Sequence, residues 1–282
     1  MIMDPVAALR TPARIEGGAS PSAAPVIAAV ASIVLLTAAG WAALLFEASR
    51  TGGGGDALWT ALCTATGLVG TDAGLAVFAT KAGLWIAMTT AMMLPAASAA
   101  AIGHAARIGA GGRGALASPA LLVGYLLVWS AAAFGLAGLQ AGLDLLLDQA
   151  VLPERAAAVI AGTAIGFAGL HQFSASKARR LAFCRLPPGG DSPRGDLKGS
   201  FLLGLRYGAG CVGCCAPMMA MMVLAGAMNL VWTAIFAALM TWERLSDGSF
   251  APRAIGAFLV AAGFALAVSA VGPAAVASHF LR

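Results

Sequence analysis

The stretch Gly204-Leu-Arg-Tyr-Gly-Ala-Gly-Cys-Val-Gly-Cys-Cys-Ala-Pro-Met-Met-Ala-Met-Met-Val-Leu-Ala-Gly-Ala227 decides how the chain is read. It is about the length a helix needs to cross the hydrocarbon core of a bilayer. Within it, Cys211 to Met222 places three thiols and four thioethers in twelve consecutive residues. Sulfur concentrated in a membrane helix points to a site for a soft metal ion, foremost copper(I), because thiolate and thioether donors favour it over magnesium, calcium or manganese.

Outward from this stretch, the whole chain has the composition of a membrane protein. Of its 282 residues 60% are hydrophobic and 10% charged, where a soluble domain carries about 25% charged residues; the mean hydropathy is +0.87. Water-soluble enzyme classes are therefore set aside. The net charge of +5 does not indicate nucleic acid, because the basic residues form neither a helical stripe nor an aromatic-basic patch. The fold expected is all-α: a polytopic bundle of about seven transmembrane helices over residues 21–282, preceded by a disordered cytoplasmic tail at 1–20 that lacks signal-peptide order. The apolar segments are 23–46, 77–102, 118–142, 155–175, 204–227, 229–243 and 252–276, the sixth being short. Residues 56–72, broken by glycines and Asp72, read as an interfacial or re-entrant piece.

Lys and Arg are retained on the cytoplasmic side. Arg107 and Arg113 mark one inner loop. Lys177, Arg179, Arg180, Arg185, Arg194 and Lys198 mark the next, read as a connection over 176–200. Glu47, Asp56 and Asp72, then Asp144, Asp148 and Glu154, fall in the alternate, outer loops. The N-terminus is thus expected inside. Arg206 is expected to snorkel, or to pair with Glu243 at the inner side; Lys81 should mark the outer end of the second span. Cys63 is isolated and reads as structural, while Cys184 in the inner loop is a single thiol that could hand a metal on.

Helical geometry sorts the sulfur. Cys211, Cys215, Met218 and Met222 are spaced by four, three and four, and share one face. Cys214 and Met221 border that face, and Met219 points elsewhere. Pro217 leaves the Gly213 carbonyl without its helical donor, which predicts a kink beside Cys214 and Cys215. A second group, Trp85-Ile-Ala-Met88-Thr-Thr-Ala-Met92-Met93-Leu-Pro95, puts Met88, Met92 and Met93 near one face of the second span. Topology sets both groups near the bilayer centre or its outer half, so they are expected to face each other. Zinc would call for four ligands, often with histidine, and none lies near the stripe.

Read together, Trp85…Met88…Ala91-Met92-Met93-Leu94-Pro95, then Gln172…Lys177…Cys184-Arg185…Pro187, then Tyr207-Gly208…Cys211-Val212-Gly213-Cys214-Cys215…Met219…Gly226…Met228-Asn229-Leu230…Trp232…Glu243 resemble a bacterial family of predicted metal-binding integral membrane proteins. That family carries a domain-of-unknown-function label, and some members are described as copper chaperones. The resemblance spans about residues 75–245 and implies copper handling in the bacterial inner membrane. Three positions depart from the family pattern. Arg180 stands where members carry the first cysteine of a Cys-Leu-x-x-Cys-Arg loop motif, which weakens the case for a paired-thiol docking site. Ala216 and Pro217 replace a tryptophan after the double cysteine, and His171 replaces a tyrosine.

The leading reading is a non-enzymatic copper(I)-binding membrane protein. Cys211, Cys214, Cys215, Met218 and Met222 would be its primary ligands, with Met88, Met92 and Met93 completing the site. A membrane cuproenzyme or a soluble copper donor would be its partner. Two other readings stand beside it. One is a thiol-disulfide oxidoreductase using the Cys-x-x-Cys-Cys cluster, a chemistry that needs a thiol of depressed pKa. The other is a subunit of a membrane complex in which sulfur serves packing alone, since methionine is an adaptable core filler.

Overall fold

The structure, a computed structural model, describes residues 24–51, 74–108, 114–149, 154–185, 196–224 and 230–280. The proposed tail at 1–20, the 56–72 segment and Cys63 lie outside them. Among the described residues there are eight helices and no strand: α1 Ala24–Thr51, α2 Gly74–Ile108, α3 Gly114–Gln149, α4 Glu154–Gln172, α5 Ala175–Arg185, α6 Leu197–Leu224, α7 Leu230–Leu245 and α8 Phe250–Phe280. Seven coincide with the apolar segments. The eighth, α5, falls in the stretch read as a loop.

Among the described residues five helices are long and apolar enough to cross a membrane, and the chain is a membrane protein. The α4–α5 pair, bent by 64°, makes a sixth candidate span. At 16 residues, α7 is about 24 Å long, short of the roughly 30 Å hydrocarbon core. Large apolar side chains such as Phe167, Phe258 and Phe264 point outward, as expected where lipid replaces water.

The bend between α4 and α5 has a local cause. Phe173 and Ser174 close the last turn of α4 by donating to the carbonyls of Leu170 and His171. The Ser174 hydroxyl then accepts from the Lys177 amide at 3.1 Å, an N-cap that starts the next helix. Along α5, Lys177, Leu181 and Cys184 are buried; a spacing of four and three puts them on one face. Arg185 ends α5 by donating from Nη2 and Nε to the Glu243 carbonyl at 2.7 and 3.2 Å, and from Nη1 to the Gly248 carbonyl at 2.6 Å. It thereby satisfies a last-turn carbonyl of α7 and one in the turn that follows it. Gly248, with φ of 75°, supplies the left-handed turn into α8 that other residues adopt at a cost.

Two seams of small residues set the helix directions. A Cβ on Gly204 of α6 would collide with the Leu121 carbonyl of α3, and one on Gly208 would lie 3.0 Å from the Val128 side chain. The matched order shows α3 and α6 running parallel. A Cβ on Gly162 of α4 would lie 2.6 Å from the Gly263 carbonyl of α8, and one on Gly169 would lie 2.7 Å from the Val260 amide, so α4 and α8 run antiparallel. Met88 meets Thr233, and Ala96 meets Arg244, making α2 and α7 parallel. These relative directions are those of an alternating topology.

Candidate metal centre

Pro217 sits inside α6 with the cysteines one turn before it and the methionines after it. All of Cys211, Cys214, Cys215, Met218, Met219, Met221 and Met222 are buried. Met219, expected to point away, is as fully enclosed as the rest, so α6 buries a broad face rather than a narrow stripe. Met88, Met92 and Met93 are buried on α2. Both groups belong to one continuous buried cluster. The helices carrying them are not a close-packed pair, however, because α3 packs along both. Tyr125 of α3 bridges them: its hydroxyl donates to the Met93 carbonyl at 3.0 Å and lies 3.1 Å from Cys211 Sγ.

Cys184 joins this centre. The buried face of α5 carries its thiol into contact with Cys214, which meets Cys215, which meets Cys211. All four are free, buried thiols. They form a row rather than a cage: among the described residues no three histidine, cysteine or acidic side chains converge closely enough to hold an ion by themselves. The Tyr207 hydroxyl fixes one end of the row by donating to the Cys184 carbonyl at 2.8 Å. Beyond the row come the thioethers. Gln172 Nε2 donates to Met218 Sδ at 2.9 Å, and the Thr233 hydroxyl lies 3.6 Å from Met88 Sδ.

The charged surroundings differ from expectation. Glu243 pairs with Lys177 at 3.0 Å, both side chains 1% exposed, and not with Arg206, which is exposed. Lys177, counted above as a loop charge, also donates to the Cys214 carbonyl at 3.1 Å. Lys81, in the first turn of the Phe78–Ile108 span where it was expected to mark the end, is buried. Arg244 is buried, with Nη2 2.6 Å from Cys211 Sγ and 3.5 Å from Cys215 Sγ. Because Arg244 is the penultimate residue of α7, the cysteines lie level with the end of that helix. Along α6 itself, Cys211, Cys214 and Cys215 fall near the middle of the Leu197–Val223 span, and the methionines after Pro217 lie toward its C-terminal end.

Arg244, Tyr125 and the inward-facing Lys177 were missed as site residues. Lys177, Cys184 and Glu243 were nonetheless part of the motif set, and their spacing was the available signal. Arg244 and Tyr125 carried none beyond adjacency to Glu243 and location in a span.

Helical spans around a buried core of thiols, thioethers and charged side chains define a polytopic membrane protein with a sulfur-rich interior. The chain belongs to the PpoB2 copper chaperone family, whose model matches residues 82–266. That region contains α3 to α7 entire, most of α2 and the first half of α8. Neither a curated protein nor a solved structure gave a match.

Proposed function

We propose that the chain is a non-enzymatic copper(I) carrier of the bacterial inner membrane. Its cargo is delivered to a membrane cuproenzyme or moved across the bilayer. The observation that carries this reading is the unbroken row Cys184–Cys214–Cys215–Cys211, continued by the buried thioethers of α6. The donors fit the cargo. Copper(I) accepts few, soft ligands, so adjacent thiols in a row offer successive low-coordinate positions between which the ion passes by ligand exchange. A tetrahedral ion such as zinc needs donors that converge.

In this reading Cys211, Cys214 and Cys215 are the primary ligands and Met218 and Met222 extend the site along α6. Met88, Met92 and Met93 complete it from α2, and Cys184 is added as the terminal thiol. Ionisable groups at membrane depth default to function, and here Lys177, Glu243 and Arg244 are buried beside the thiols.

Protein purified and loaded anaerobically with copper(I) is expected to hold near-stoichiometric metal. The Cys214→Ser, Cys215→Ser variant loses it, and a Met88→Leu, Met92→Leu, Met93→Leu variant retains it more weakly. Equal copper in wild type and the double-serine variant overturns the proposal. A reversible dithiol–disulfide couple indifferent to metal would favour thiol exchange instead.

A further inference from the structure

The buried charges around the thiols do not cancel. Lys177 and Glu243 neutralise each other at 3.0 Å. Arg185, partly exposed, is occupied by backbone carbonyls of α7 and the turn after it. Arg179, Arg180 and Arg206 are exposed. Arg244 is buried, and among the described residues it has no carboxylate partner. Its Nη1 reaches the Ala96 carbonyl at 3.5 Å, its Nε has no acceptor, and Nη2 points at Cys211 and Cys215. A buried cation is costly unless paired. The facing groups that can carry the opposing charge are those thiols when they ligate an ion.

We propose that Arg244 sets the charge of the cargo, selecting a monovalent soft cation over a divalent one. The inference rests on the reading of the cysteines as cargo ligands. Two thiolates around a monovalent ion carry one net negative charge, which Arg244 offsets; the thioethers add none. Around a divalent ion the same two thiolates come out neutral, and the guanidinium stays uncompensated where the dielectric is low. Softness alone makes no such distinction, since silver(I) and cadmium(II) both take sulfur. Arg244 is therefore a specificity-determining residue that acts through charge rather than by ligation.

The test is the silver(I)-to-cadmium(II) affinity ratio, measured by competition on the full chain in detergent. Arg244→Gln is expected to lower the ratio about tenfold or more, which corresponds to about 1.4 kcal/mol. Arg244→Lys, which keeps the charge, holds the ratio near wild type. Glu243→Gln adds one net positive charge to the site without touching Arg244, and it shifts the ratio the opposite way from Arg244→Gln. That arm decides the matter even where Arg244→Gln does not yield folded protein. Silver binding by wild type with the same ratio in the folded Gln variants overturns this inference and leaves the copper reading standing. Wild type binding neither copper(I) nor silver(I) overturns both.

Discussion

The α4–α8 seam and the sulfur core are both built by close helix approach, yet they solve opposite problems. Along the seam, Gly162, Gly169 and Gly263 bring backbones within the space of a missing Cβ, and outward side chains such as Phe167 and Phe264 meet lipid. In a bilayer the hydrophobic effect gives helices little reason to associate, so small residues and dispersion hold such a pair together. Around the thiols, the glycine contact of α3 with α6 works differently. It brings Tyr125 to Cys211, and the interior it closes holds Lys177, Glu243, Arg244 and Gln172. One region uses close packing to exclude polar groups, and the other uses it to enclose them. Enclosed charge lowers stability unless matched, which marks the second region as kept for its chemistry.

The contrast breaks first at the ion pair. Lys177→Met leaves Glu243 buried and alone, and about 3–5 kcal/mol of stability should be lost. Thermal unfolding in detergent reads the loss. The Lys177→Met, Glu243→Leu double variant should recover most of it, because removing both charges removes the need for either. A double variant no more stable than the single would mean that Lys177 acts through the Cys214 carbonyl instead. A smaller effect, about 1–3 kcal/mol, is expected for Gly263→Leu, which overpacks the seam. Copper per folded chain should stay at the wild-type level there, whereas a parallel loss of copper would show that the two regions are energetically one.

The same contrast explains what could be read from the sequence. The apolar segments were legible because lipid demands long uninterrupted runs, and the sulfur residues because their type is unusual in such a run. The short helix α5 was not legible. Its Lys177, Arg179, Arg180 and Arg185 follow the charge rule for an inner loop, and that rule treats every cation as solvated. Ser174 was a usable cap signal, and the spacing of Lys177, Leu181 and Cys184 a usable face, but a lysine on an inward face contradicts ordinary patterning. The Glu243 pairing failed for a related reason. Topology gives the level of a side chain along the bilayer normal but not its position around the bundle, so Arg206 and Lys177 were equally near on paper. The Arg180 departure from the family pattern has a structural counterpart, since its guanidinium now lies over Gly213.

In the proposed function, cargo copper is held by sulfur alone, in a chain of neighbouring thiols and thioethers. X-ray absorption at the copper edge on the loaded wild-type protein tests it most directly. Monovalent copper with a sulfur-only first shell of two or three scatterers is expected. A divalent ion, or a shell of nitrogen and oxygen donors, would contradict it.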